Sequence, residues 1–164
     1  IIWLGDRDGV RTPMQWTPDR NAGFSTANPG RLYLPPNLDP IYGYPSVNVE
    51  AQRDSSTSLL NWTRTMLAVR RRHEAFATGA FRELGGSNPS VLAYLREAGD
   101  EVMLCVNNLS RFPQPIELQL QHWASWTPVE LTGHVPFPRI GQLPYLLTLP
   151  GHGFYWFKLA EEGA

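Results

Sequence analysis

Cysteine is almost missing from this 164-residue chain: Cys105 is the single one, which excludes an internal disulfide framework and any cysteine-based zinc site. Neither sign of charge is in excess, because Lys plus Arg is 14 and Asp plus Glu is 15, a formal net charge of −1. Without a basic surplus there is no counterion-release drive toward nucleic acid, so no nucleic-acid partner is expected. No apolar run approaches the roughly 18 residues of a membrane span, and no membrane partner is expected either. A basic leader followed by an apolar stretch is also lacking, and the chain opens on Ile1. Together these absences read as the tail of a longer, cytoplasmic protein. What is abundant is apolar and aromatic surface: 42% hydrophobic residues and 12% aromatics. That suffices for a sizeable core and excludes a disordered or fibrous chain.

Proline divides the sequence. Seven of the 15 prolines lie between Pro13 and Pro45, and none follows until Pro89. The opening stretch reads as one long, turn-rich loop. So long a loop is uncommon unless it lines a site, and Trp3, Met14, Trp16, Phe24, Leu32, Tyr33, Leu34, Tyr42 and Tyr44 are expected to anchor it as an ordered functional element. The proline-free middle predicts a helix, with Asp54, Ser55 or Ser56 as N-cap. Leu59, Trp62, Met66 and Val69 form its apolar stripe, widened by Leu60, Thr63 and Leu67. Arg70, Arg71, Arg72 and His73 fall in the last turns, where cations favour the helix dipole; no other positive surface makes them a nucleic-acid patch.

From Gly79 onward the period becomes two. Val91, Ala93 and Leu95 alternate with Leu92, Tyr94 and Arg96, and Val102, Leu104 and Val106 alternate with Met103 and Cys105. Ile116, Leu118 and Leu120 alternate with Glu117, Gln119 and Gln121, and further strands fit Val129 to Leu131, Tyr145 to Leu149 and Phe154 to Leu159. Turn signals such as Ala98-Gly99-Asp100 and Pro150-Gly151-His152-Gly153 separate them. Short strands at this spacing predict a mainly β fold, a C-terminal antiparallel β-sandwich of about 80 residues.

Chemistry is harder to find. The histidines, His73, His122, His134 and His152, show no metal-ligand spacing, and no metal or other cofactor is expected. Cys105 sits mid-strand among apolar neighbours and reads as a buried, inert thiol. Asp6-Arg7-Asp8-Gly9 has a partial likeness to a calcium loop but lacks its later ligands. Asn61-Trp62-Thr63 and Asn108-Leu109-Ser110 match the glycosylation sequon and read as chance. Trp123 and Trp126 could stack on sugar rings, although core packing is the commoner fate of a sandwich tryptophan.

Particular phrases reach further. Gly5-Asp6-Arg7-Asp8-Gly9-Val10-Arg11-Thr12-Pro13-Met14-Gln15-Trp16, followed by Asn21-Ala22-Gly23-Phe24-Ser25, resembles the segment after the eighth barrel strand in α-amylase-superfamily enzymes that act on α-glucosides. Val47-Asn48-Val49-Glu50-Ala51-Gln52 and Leu67-Ala68-Val69-Arg70-Arg71-Arg72-His73 are similar to the last barrel helix and its approach. Arg31-Leu32-Tyr33-Leu34-Pro35-Pro36, Asn107-Asn108-Leu109-Ser110-Arg111-Phe112-Pro113-Gln114-Pro115 and Val129-Glu130-Leu131-Thr132-Gly133 resemble the maltose–trehalose glucosylmutase branch.

The resemblance implies a C-terminal part of such an enzyme. Residues 1–78 would be the end of a (β/α)8 barrel, its loop after strand 8 and its last helix, and residues 79–164 the sandwich. It implies retaining chemistry with an aspartate nucleophile, a glutamate acid/base and an Asn-His-Asp motif, none of which this chain holds, so no catalytic residue is assigned here and the chain alone is expected to be inactive. It places Arg7 on the non-reducing glucose, where a planar guanidinium suits two hydroxyls, with Asp8 and Arg11 supporting the loop through ion pairs; the same supporting role is the alternative for Arg7. Gln15 and Trp16 are expected to anchor the loop. Maltose and trehalose are the implied ligands, and maltokinase or further copies of the parent enzyme the implied protein partners. The rival readings are part of an α-glucosidase, oligo-1,6-glucosidase or sucrose isomerase with the same loop, and a non-catalytic carbohydrate-binding sandwich.

Overall fold

A computed structural model describes residues 11–161. Contacts divide the chain into two units, Ile1–Thr65 and Met66–Ala164.

In the first unit, helix α1 (Val49–Asp54) starts at Asn48, whose Oδ1 accepts the Ala51 N–H at 2.8 Å. Helix α2 (Leu59–Arg72), whose residues belong to the first unit up to Thr65 and to the second from Met66, begins after Ser58, whose Oγ accepts the Asn61 N–H at 3.2 Å, while Gln52 Oε1 takes the Leu60 N–H at 3.0 Å. The expected caps at Asp54, Ser55 and Ser56 are therefore corrected. Asp54 closes α1 instead, and the orphan amides of α2 find Ser58 and Gln52. Asn61 Nδ2 donates to the carbonyls of Gln52, Arg53 and Ser55, so this sequon amide is committed to holding the α1–α2 turn.

The second unit is the sandwich. Its strands are β1 (Ala80–Leu84), β2 (Val91–Ala98), β3 (Glu101–Asn108), β4 (Gln114–Leu118), β5 (Thr127–Glu130), β6 (Tyr145–Leu149) and β7 (Phe154–Ala160). A five-stranded antiparallel sheet runs in the order β1-β2-β3-β7-β5, and β4 pairs with β6 in a second sheet. Val91, Ala93 and Leu95 of β2 and Val102, Leu104 and Val106 of β3 pack against Ile116, Leu118, Leu147 and Leu149. The alternation read from sequence thus becomes the seam between the sheets. Two expected strands are shifted: the one placed at Val129 to Leu131 runs instead from Thr127 to Glu130, and the one through Leu120 ends early. Leu120 leaves the extended region (φ −111°, ψ 15°), so β4 ends at Leu118 and Gln121–Trp123 form a 3-10 turn.

Strand β3 is buried on both faces. Opposite the seam, Met103 packs with Val69, Ala75 and Leu131, with Phe76 and Trp156 alongside. The short helix α3 (Ala75–Thr78) is tied there by Glu101. One carboxylate oxygen lies 2.6 Å from His73 Nδ1 and the other accepts the Ala75 N–H at 2.9 Å. Cys105 is fully buried, and burial pushes its thiol up to about 11, as expected of an inert core thiol.

At the far end of β3, Asn108 is a buried amide. Its Nδ2 donates to Phe112 O and Pro150 O, both at 2.8 Å, and its Oδ1 accepts the Ser110 N–H at 2.9 Å. The second sequon is thus a structural clasp between two turns. They approach so closely that a Cβ on Gly151 would stand 2.1 Å from Arg111 O. Asn108→Ala strands those carbonyls and should cost about 2–3 kcal/mol in urea unfolding of the sandwich. A loss under about 0.5 kcal/mol would mean that water replaces the amide.

Burial opposes ionisation of Glu101, yet the Ala75 amide, His73 and Lys158 outweigh it and hold the carboxyl below its usual range. A carboxyl with a lowered folded pKa adds stability above the unfolded value and loses it as pH falls through the folded value. Stability should therefore decline as pH drops below about 4.5, the ordinary glutamate value. Glu101→Gln should flatten that decline and cost about 1–2 kcal/mol at neutral pH. Identical acid titrations of Tm for both proteins would rule out this contribution.

Candidate active-site rim

The candidate rim is the segment before α1, and polar side chains hold it. Gln15 Nε2 donates to Val47 O and, at 3.3 Å, to Tyr42 O. The Gln15 and Trp16 carbonyls accept the Val49 and Glu50 amides at 2.9 and 3.0 Å, which sets the start of the segment on the first turn of α1. Asn48 Nδ2 reaches back to Tyr44 O at 2.9 Å. Asp39 Oδ1 accepts the Ile41 and Tyr42 amides, both at 2.8 Å, and the Tyr42 amide first, then Ile41, keeps its carboxyl below the usual range.

Its tightest point is the turn Arg20–Gly23. Asn21 (φ 58°), Ala22 (φ 60°) and Gly23 (φ 66°) are left-handed in succession, a conformation that glycine accepts freely and alanine does not. Asn21 is buried and its Nδ2 donates to Ser25 O and Ala27 O, both at 2.8 Å; the Ala22 carbonyl accepts the amides of Trp16 and Thr17 at 2.8 and 3.1 Å. These bonds over-determine the turn and offset a strain of about 1–3 kcal/mol for a left-handed residue other than glycine.

Most of the expected apolar and aromatic anchors among the described residues are exposed rather than packed inward. Met14, Trp16, Phe24, Tyr33 and Tyr42 are each about half exposed or more, Tyr33 at 87%. The correction has a physical reason. So short a unit has too little apolar surface to cover them, and hydrogen bonds to Gln15, Asn21, Asp39 and Asn48 carry the ordering instead. Pro13, Met14, Phe24, Leu32, Tyr33 and Leu34 line an apolar cleft, a surface on which the C–H face of a pyranose ring could rest.

Arg7 and Asp8 lie outside the described residues. Arg11 is exposed at their border, and Gln15 has the anchoring role expected of it. Asn21 and Asn48, which hold the most backbone, were not legible as site-builders. Only the turn preference of Asn21-Ala22-Gly23 and the N-cap preference of Asn48 signal them. Among the described residues no cluster of three or more His, Cys, Asp or Glu could hold a metal, and no helix is long and apolar enough to cross a membrane.

With this geometry in hand, comparison assigns the class. The family described as the catalytic domain of alpha amylase matches residues 4–79, and the C-terminal domain of maltogenic amylase matches residues 81–156. The chain belongs to the α-amylase superfamily. Its similarity narrows within that class to trehalose synthases. The trehalose synthase/amylase of Mycobacterium tuberculosis is 83% identical across 100% of this chain, and the trehalose synthase of Pimelobacter sp. is 65% identical across 98% of it. The chain spans 28% and 29% of the length of those two relatives. Among solved structures, isomaltulose synthase from Klebsiella sp. LX3 superposes with a TM-score of 0.65 at 27% identity, over 93% of this chain and 26% of that one.

The turn at Asn21 gives a prediction. Asn21→Ala removes two hydrogen bonds and the residue type best suited to the left-handed turn, and should loosen the rim by about 2 kcal/mol. Limited proteolysis should then cut within residues 16–27 several-fold faster while the sandwich melts as before. Unchanged cleavage there would show that the turn does not organise the rim.

Proposed function

We propose that this chain supplies the end of the catalytic barrel and the C-terminal sandwich of an enzyme that interconverts maltose and trehalose by intramolecular glucosyl transfer. The carrying observation is 83% identity over the whole chain to a trehalose synthase/amylase, against 27% to an isomaltulose synthase, which makes the sucrose-isomerase reading the weaker one. The rim supports it. Residues 11–48 form a hydrogen-bonded surface segment on a helix, the kind of rigidly based loop that carries binding residues. Leu59 and Trp62 of α2 are 70% and 49% exposed, which suits a helix whose apolar stripe is covered by further barrel elements.

In this reading Arg7 holds the non-reducing glucose, with Asp8 and Arg11 bracing the loop. An aspartate and a glutamate supplied by the rest of the enzyme act as nucleophile and acid/base. The glucosyl group passes to the enzyme with release of glucose, which is retained and re-attacks through its anomeric hydroxyl. The setting is cytoplasmic, and maltokinase or further copies of the enzyme are the protein partners.

The test uses a complete enzyme that contains this segment. Arg7→Ala should lower kcat/KM for maltose and trehalose alike, by about 2–4 kcal/mol for a charge-assisted pair lost in a buried site. Arg7→Lys should rescue little, since a point charge cannot reproduce a planar fork. Arg11→Ala should act on Tm more than on kcat/KM per folded molecule. The 164-residue chain alone should produce no trehalose from maltose. Normal kcat/KM in Arg7→Ala, or trehalose formed by the chain alone, would overturn the assignment.

A further inference from the structure

The sandwich contains a second place with recognition chemistry, at the end of the five-stranded sheet where the β2–β3 turn meets the start of β5 and the end of β7. A cleft of about 630 Å³ opens there, lined by Trp126, His73, His134, Asp100, Lys158 and Glu161 together with the apolar Val129 and Leu131. That is the size of a small-ligand site.

The two tryptophans of this region have different fates. Trp123 is buried at 5% exposure, with Arg82 over its ring at 5.0 Å and His122 edge-on at 5.0 Å. Trp126 is half-buried against the core and borders the cleft, and among the described residues no ring or cation is stacked on it. A half-buried tryptophan on the wall of a cleft can serve as a stacking platform.

The electrostatics narrow the ligand. Two acids near the cleft are already engaged: Glu101 by His73 and the Ala75 amide, and Glu130 by the Thr132 hydroxyl at 2.6 Å and the Gly133 amide at 2.6 Å. Lys158, which also acts on Glu101, shares the cleft wall with Asp100 and Glu161, and His134 adds a ring with hydrogen-bonding nitrogens. Such a wall has no surplus of positive charge for a phosphate. It offers hydrogen-bond donors and acceptors of both kinds beside an aromatic face, the chemistry that recognises a neutral polyhydroxylated ring.

We propose that this cleft binds a neutral glucosyl oligosaccharide, with Trp126 stacking on a pyranose ring and Asp100, His134 and Lys158 bonding its hydroxyls. The choice of an α-linked glucan rests on the function proposed above. The test needs no catalysis, so either reading can fail without the other.

The 15N-labelled chain is titrated with maltoheptaose and, separately, with inorganic phosphate. Maltoheptaose should shift the Trp126 indole signal and the amides of Gly99, Asp100, His134 and Lys158 in a saturable way. Trp126→Ala should weaken association about tenfold with the melting temperature retained. Should Trp126→Ala fail to fold, Asp100→Ala and His134→Ala must each weaken association severalfold. The proposal is overturned by an absence of saturable shifts, by shifts confined to residues 11–54, by phosphate shifting the cleft where maltoheptaose does not, or by undiminished association in the folded variants.

Discussion

Strand β3 has no side open to water, because the Val102–Val106 run is apolar at every position and its two faces must be covered by different elements. One face takes the β4–β6 sheet, and the other takes Val69, Ala75 and Leu131 around Met103. Burying five consecutive side chains contributes on the order of 1.5–3 kcal/mol for each large one, which makes this strand the natural centre of the unit. Polar groups at its two ends are consequently all engaged. Glu101 ties α3 down at one end, and Asn108 clasps two turns at the other.

The rim is ordered by a different kind of force. Its buried residues are few, and two of them, Asn21 and Asn48, are amides that satisfy backbone carbonyls and amides through short loops. Hydrogen bonds of this kind fix geometry without demanding a core of their own, and Met14, Trp16 and Phe24 present apolar surface outward. The segment is hydrogen-bonded in its backbone and apolar outward, and it lies within residues 4–79, which match the family described as the catalytic domain of alpha amylase.

Much of the sandwich was legible, since period-two burial at Val91, Ala93 and Leu95 or at Tyr145, Leu147 and Leu149 is imposed directly by the pleat. The ends of elements were less so. Ser58 rather than Asp54 to Ser56 caps α2, because a preceding helix uses Asp54 and no local pattern reveals that competition. Strand β1 alternates poorly because it is an exposed edge. Trp123 and Trp126 could not be told apart by spacing, as the 3-10 turn between β4 and β5 decides which ring enters the core. The function proposed for the rim rests on the resemblance of its phrases. Arg7 carries no periodicity, and the role of Asn21 depends on a left-handed turn that composition merely allows.

Native-state hydrogen exchange on the wild-type chain tests the central claim, that a doubly covered β3 supports the sandwich while the rim stands on local hydrogen bonds. Amides of Val102 to Val106 should exchange only through global unfolding, with the same denaturant dependence as the cooperative transition. The Trp16, Thr17 and Ala22 amides should exchange through smaller openings at lower free energy. Rim amides as protected as those of β3, or β3 amides that open locally, would contradict the account.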